Sequence, residues 1–512
     1  MNELTHPAAP DEFRADQKSD ARTLTQAGPA VAQRDLARRD LARLFLVLFA
    51  LTFVLRMPAF FVPVFNSDET FLATQAHVIQ EGGELYEEAT DRKPPLVPYL
   101  YAGAFTFFGT TALWTVRLVA MLAVAVTALL LAVEARRRWG RNAGWIASVL
   151  FVLAMVAFAP QDGQAANFEV FMLPSMTAAI LFARRGRGTA AGVAIAFATL
   201  AKQTGAATLL PVVYLLARAR GKRGVAQVAV GFAVPTAIVA LLVGPGQLLY
   251  WAVLGNGSYL GLQALSASVL LLFLGMTSGW AACNLPILWK LPAAWRDRAA
   301  RALDGENNTD LWLWVASGII SVAVGLRFFG HYYIQLVPPL VLLSAGALSR
   351  ASRRAVTGTV VAAALFATAY SAAGYFLHPF GREPNYESVS RYLATTPHPN
   401  DPIFVWGSVP EIYWASGKLP ATKFLTTSFL TGAYPGRQQD KRKIDDTTKQ
   451  AWSDFYDDFA ENPPRYFVDT STVDVRGAQH HPIWKFPRLA NIVSEQYRYV
   501  VTIDDYEIYE RK

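Results

Sequence analysis

Long apolar blocks follow one another through most of the first 377 positions, separated by short basic or polar stretches. A helix that spans a bilayer needs about 20 mainly apolar residues. Blocks at 44–63, 112–134, 143–159, 168–183, 224–243, 264–289, 310–326, 333–348 and 355–377 reach or approach that length. Residues 95–108, PLVPYLYAGAFTFF, are too short to cross and read as an interfacial or re-entrant helix. Residues 189–217 carry KQTG at 202–205 in their middle, so they read as one long helix or two short ones. Beyond 378 the pattern changes. PNYESVSRYLATTPHPNDPIFVWG reads as helix, turn and strand, PPRYFVDTS as a strand, and YRYVVTIDDYEIYER as a closing hairpin.

The distribution of positive charge orients these elements. Basic clusters lie at 34–43, 135–141, 183–188, 218–223, 289–301 and 349–354. With the N-terminus inside, 95–108 on the outer surface and 189–217 folded as a pair of short helices, every cluster falls on the cytoplasmic face. The expected fold is a polytopic α-helical membrane protein with about eleven spanning helices, plus a C-terminal extracytoplasmic α/β domain. The expected domains are a disordered cytoplasmic tail over 1–39, a membrane module over 40–377 with a long first external loop at 65–111, and the α/β domain over 378–512. In that loop an amphipathic helix is expected over 67–81, with Phe71, Leu72, Ala76 and Ile79 on its apolar side. A turn at Gly82-Gly83 follows, then a helix opened by Pro94-Pro95, with Tyr99, Tyr101, Phe105, Phe107 and Phe108 at the headgroup region.

Composition agrees. Of 512 residues 53% are hydrophobic and 17% charged, where soluble domains run near about 25% charged. The net charge of +8 sits in the short clusters, so nucleic acid is not an expected partner. The single cysteine, Cys283, precludes a disulfide within the chain.

On the outer side this topology gathers Asp68, Glu69, Arg92, Lys93, Asp162, Asn167, Glu169, Lys202, Arg327, His331, Tyr332 and Tyr333. Ionisable groups at membrane depth are costly and point to function. A lipid-phosphate-sugar donor has an anionic leaving group, which cations hold, and an acceptor hydroxyl or amine needs a carboxylate for its proton. Plainer roles stand beside these: Ser67 or Asp68 as a helix cap, Glu69 and Glu169 as first-turn carboxylates, Arg92 and Lys93 as headgroup anchors, and His331 as a structural histidine. Lys202 has apolar helices on both sides, which makes a plain role harder to assign. No HExxH, paired-cysteine or EF-hand spacing argues for a metal site, and no P-loop or nucleotide fingerprint occurs.

SDET after the first span, followed by DRKPPLVPYLY, resembles the first external loop of the integral-membrane glycosyltransferases with the C-type fold. The similarity is to the protein O-mannosyltransferases (family 39-like) and the bacterial aminoarabinose transferase of lipid A. LAKQTGAATLLP, RFFGHYYIQLVPPLVLL, DPIFVWGSVPEIYWASGKLPA and NPPRYFVD resemble later blocks of that group, in order and spacing. The resemblance implies a membrane glycosyltransferase that takes its sugar from a polyprenyl-phosphate donor outside the cytoplasmic (inner) membrane. The acceptor class, lipid, glycan or protein, is left open. It implies Asp68 as the catalytic aspartate, with Glu69 beside it. Arg92, Lys93, Lys202 and Arg327 are expected to hold donor phosphate, and Glu169, Asn167, His331 and Tyr332 to bind substrate. Some members of the wider fold use a divalent metal and others do not, so the resemblance leaves the cofactor open: a divalent metal is possible, and no motif requires one. A secondary transporter or lipid flippase is the alternative, since the broken 189–217 run fits a discontinuous-helix site.

Overall fold

The computed structural model describes residues 39–254, 266–301, 308–377, 384–397, 400–432 and 446–512. The tail expected over 1–39 lies outside them except for its last residue. The principal helices are α1 (39–55), α2 (Ser67–Gln80), α3 (Leu96–Phe105), α4 (Leu113–Trp139), α5 (Arg141–Ala154), α6 (Phe168–Arg184), α7 (Gly188–Ala201), α8 (Leu209–Val243), α9 (Ala267–Cys283), α10 (Thr309–Ala323), α11 (Val337–Leu348) and α12 (Arg353–Phe376). Among the described residues Leu113–Trp139, Gln203–Val243, Gly330–Leu348 and Arg353–Phe376 are long and apolar enough to cross a membrane. Ala267–Cys283 with Leu285–Asp297, bent by 79°, makes a fifth if that pair is one span. The chain is a multi-pass membrane protein. Its α3 has 10 residues, a rise of about 15 Å, far short of the roughly 30 Å hydrocarbon layer.

The 189–217 run is broken, as its polar centre suggests. Here α7 ends at Ala201, Lys202 is extended, and a 3-10 turn over Gln203–Thr208 leads into α8. A second break at Gly221 (φ 56°, ψ −147°) divides α8 inside its basic cluster. Glycine takes this conformation without the steric penalty of a side chain. The later half of α8 then packs closely on α7. A Cβ on Gly192 would stand 2.2 Å from the Val228 carbonyl oxygen, and one on Gly231 would stand 2.2 Å from that of Thr189. Small residues at such a contact let two backbones approach, which strengthens packing where lipid gives no hydrophobic drive. Gly192→Leu is expected to destabilise the bundle by about 1–3 kcal/mol or more, since backbone cannot yield as a side chain can. Thermal unfolding in detergent checks this against Gly275→Ala, where open space surrounds the glycine. Equal melting of the two variants would contradict the contact.

Charged groups concentrate at two ends of the bundle. At one end Asp40 pairs with Arg136 and Arg141, and Arg350 pairs with Asp297. Glu134 and Asp310 hold Arg138 and Arg184 between α4, α6 and α10. These residues come from the basic clusters or the polar stretches beside them. The other end carries α2, α3 and the polar groups of the candidate site.

The sheet forms within 403–511. Its order is β1 (Ile403–Trp406), β2 (Tyr466–Asp469), β4 (Tyr506–Arg511), β3 (Tyr497–Ile503), with β1 and β2 parallel and the other pairs antiparallel. Both β1 and β2 are buried throughout, as their near-continuous apolar runs require. Asp504 and Asp505 both take positive φ (52° and 66°), which lets a two-residue turn join β3 to β4. This unit rests on the first loop. Helix Glu411–Ser416 packs on α2, Leu425 clusters with Val78 and Ala89, and Thr90 donates its backbone N–H to the Lys423 carbonyl at 2.9 Å.

Two details of the loop correct the sequence reading. The cap of α2 is Asn66, whose Oδ1 accepts the Asp68 backbone N–H at 3.0 Å, so neither Ser67 nor Asp68 serves as cap. Tyr101 and Phe105 are buried rather than at a headgroup surface. The α3 face that carries them packs on the bundle, and the Tyr101 hydroxyl donates to the Ala166 carbonyl at 2.6 Å. Tyr99, Phe107 and Phe108 are exposed.

Candidate active site

Asp68 stands in the first turn of α2 with its backbone already capped, so its carboxylate is available for other contacts. Lys93, just before the Pro94-Pro95 pair that opens α3, places Nζ 3.7 Å from Asp68 Oδ2 and 4.0 Å from Asp91 Oδ2. The Asp68 and Lys93 side chains are 31% and 28% exposed, so both can meet a ligand. The Lys93 loop is fixed. The Tyr86 hydroxyl donates to the Lys93 carbonyl at 2.8 Å. The Gln203 amide donates to the carbonyls of Arg92 (2.5 Å) and Ala252 (2.9 Å).

The start of α6 joins this pair to a second, more buried group. The Phe168 ring lies 4.2 Å beneath the Lys93 ammonium. Its neighbour Glu169 forms an ion pair with Lys202 and lies 3.8 Å from His331 Nε2. His331 Nδ1 is 2.7 Å from Asp162 Oδ1, which also accepts from the Asn66 side chain at 3.3 Å. Lys202 sits over the Tyr332 ring at 4.2 Å. The Asn167 amide donates to the Asp162 carbonyl at 3.4 Å. Lys202 reaches this point because α7 breaks beside it, and His331 because a 3-10 turn over Gly330–Leu336 precedes α11.

Electrostatics distinguish the two loop aspartates. Burial opposes ionisation of Asp68, but Lys93, His331, Lys202 and Arg476 together hold its carboxyl below the usual value. Asp91 goes the other way. Burial raises its pKa, Asp68 adds to the rise, and Lys93 only partly offsets both.

The structure brings Asp68, Lys93, Glu169, Asn167, Lys202, His331 and Tyr332 together. It sets Glu69 and Arg92 apart. Glu69 is fully buried: it accepts from Arg117 through both oxygens (2.9 and 2.7 Å), and from the backbone N–H groups of Ala166 (2.9 Å) and Phe65 (3.3 Å). Adjacent helical residues point about 100° apart, which turns Glu69 into the bundle toward Arg117 while Asp68 stays partly exposed. Arg92 stacks its guanidinium 3.8 Å over Phe429 of the sheet unit. Arg327 is fully buried four residues before His331, between Leu326 and Phe328 in left-handed backbone. Asn66, Asp91 and Gln203 were not singled out from the sequence. Asp91 could have been, as an acid two residues before Lys93. Nothing local marks Asn66, and Gln203 is marked only as part of the polar KQTG break.

A metal does not fit this donor set. Glu169 is engaged with Lys202 and Asp162 with His331. Among the described residues no group of three or more His, Cys, Asp or Glu side chains could hold an ion.

The sequence pattern of the dolichyl-phosphate-mannose-protein mannosyltransferase family matches residues 92–251. No curated protein matches the chain. Among solved structures, ArnT from Cupriavidus metallidurans bound to undecaprenyl phosphate superposes with a TM-score of 0.63 at 16% identity, over 91% of this chain and 97% of that one. The apo state of the same protein gives 0.61 at 15%, over 92% and 98%. The archaeal oligosaccharyltransferase AglB from Archaeoglobus fulgidus, in complex with an inhibitory peptide and a dolichol-phosphate, gives 0.55 at 12%, over 93% and 74%. The chain has the fold of these membrane proteins over 91–92% of its length, and the family pattern is confined to residues 92–251.

Proposed function

We propose that the chain is an inverting glycosyltransferase that moves a sugar from a polyprenyl-phosphate donor to a lipid, glycan or protein acceptor outside the cytoplasmic membrane. The observation that carries this reading is the partly exposed Asp68–Lys93 pair backed by buried Lys202, Glu169 and His331. An acceptor hydroxyl gives its proton to Asp68 as its oxygen attacks the anomeric carbon. The bond from that carbon to the phosphate oxygen breaks, and the electron pair leaves on the polyprenyl phosphate. Lys93 and Lys202 offset the charge that develops there. Attack from the face opposite the phosphate inverts the anomeric centre.

Glu169 holds Lys202 in place, and Asp162 does the same for His331. Asn167, His331 and Tyr332 are assigned to the sugar, Arg327 to donor phosphate, and Glu69 and Arg92 to positioning the loop. The undecaprenyl phosphate in the ArnT structure and the dolichol-phosphate with AglB support a polyprenyl-phosphate donor. The separation of charge into two ends supports an orientation with the basic end cytoplasmic and 378–512 outside, and about eleven crossings remain part of the proposal.

Turnover tests the reading. The purified chain, given a radiolabelled polyprenyl-phosphate sugar and a membrane extract as acceptor, is expected to release polyprenyl phosphate. A donor that stays intact while crossing the bilayer would favour transport instead.

Lys93→Gln separates binding from chemistry. It is expected to weaken donor affinity roughly tenfold or more, the size of one charge-assisted contact of about 1.5–3 kcal/mol. Lys93 is also the chief cation holding the Asp68 carboxyl low, so its loss raises that pKa. The parent should stay active down to or below the ordinary aspartate value of about 3.9, and the variant should lose activity at higher pH as acid protonates the base. Unchanged donor affinity together with an unmoved acid limb would reject the assignment.

A further inference from the structure

We infer that a cleft of about 320 Å³ in the sheet unit binds an anionic saccharide, a sugar ring bearing phosphate or carboxylate. Its lining includes Thr431, Trp452, Tyr456, Lys485, Phe486 and Arg488. The volume lies at the small end of ligand sites, about 300–1,000 Å³, which suits a short saccharide and not a polyprenyl chain.

The aromatic wall is already built. Trp452 and Tyr456 stack with centroids 5.5 Å apart, Phe486 lies 5.1 Å from Trp452, and the Trp452 indole N–H donates to the Leu430 carbonyl at 2.9 Å. The negative face of such rings attracts the weakly positive C–H groups of a sugar.

The anion preference comes from the mouth. Arg488 lies 3.8 Å over the Tyr456 ring, and Lys485 gives its ammonium to the His480 carbonyl at 3.1 Å and lies 5.4 Å over the Trp484 ring. Among the described residues neither meets a carboxylate, whereas Arg465, Arg476, Arg498 and Lys423 of the same unit each do. A planar guanidinium beside an aromatic wall takes a phosphate or carboxylate through paired hydrogen bonds.

The cleft also adjoins the catalytic loop. The single turn Ser428–Thr431 gives Leu430 and Thr431 to the cleft and Phe429 to Arg92, the residue before Lys93. Resting on the function proposed above, this makes the cleft a subsite for the acceptor side of the reaction.

The test is isothermal titration of the full-length chain in detergent with mannose 6-phosphate, mannose and inorganic phosphate. Saturable binding of mannose 6-phosphate is expected, with each of the other two at least about tenfold weaker. The exposed pair Lys485→Gln/Arg488→Gln should lower that affinity about tenfold or more with no change in melting, while Lys93→Ala should leave it unchanged. The inference fails if mannose 6-phosphate does not saturate, if the double variant binds it equally well, or if phosphate alone binds as tightly. Release of polyprenyl phosphate is read in parallel. Loss of cleft binding with normal turnover overturns only the cleft, and saturable cleft binding with no turnover overturns only the enzymatic reading.

Discussion

Asp68→Asn is expected to lower sugar transfer by about 10²–10⁴-fold, the usual contribution of a positioned general base. The substitution is nearly isosteric and removes only the charge and the proton-accepting oxygen. It should leave the fold intact, because Asn66 and not Asp68 caps α2. It also leaves Lys93 4.0 Å from the Asp91 carboxyl, so the ammonium keeps an acidic neighbour. Initial rates of polyprenyl phosphate release, with thermal melting alongside, decide the matter. A rate within about threefold of the parent would remove Asp68 from the chemistry, since a base contributes far more than that. Lower melting with a proportionate fall in rate would assign it a structural role.

Asp68 and Lys93 stand out in the sequence because SDET and DRKPPLVPYLY resemble a known first external loop. Lys202 stands out because an ionisable group between apolar helices is costly, and the structure pairs it with Glu169 across the break after α7. The strands at 403–406 and 466–469 could be read from short apolar runs bounded by turn residues. Other features depend on contacts that no local pattern encodes. Asn66 acts on Asp162 across 96 positions, and Gln203 acts on Arg92 across 111. Arg92 looked equivalent to Lys93 in sequence, yet the sheet unit takes it through Phe429, some 337 positions away by numbering. Glu69 looked like half of a reactive pair. Its true partner is Arg117, an arginine inside an apolar block whose pairing with Glu69 no local pattern encodes.

Arg117→Ala is accordingly expected to destabilise the chain by about 3–5 kcal/mol, the range for removing one partner of a buried ion pair. The Glu69 side chain is fully buried and would keep its charge with only the backbone N–H groups of Phe65 and Ala166 as hydrogen-bond donors and the nearby Arg56 as the remaining cation. The loss extends beyond the pair. Arg117 also donates to the carbonyls of Ala59, Val62 and Pro63, so one side chain ties α4 to the chain just before α2. Glu69→Gln should cost less. It keeps the shape and leaves Arg117 donating to those three carbonyls, which partly satisfy the guanidinium left without its carboxylate. Combining the two should fall short of the sum of the single losses, because each removes the reason the other is costly. Melting in detergent ranks the three variants. The pair would return to the chemistry if Arg117→Ala melted like the parent yet lost transfer, since Glu69 would then be acting on substrate and not holding Asp68 in place.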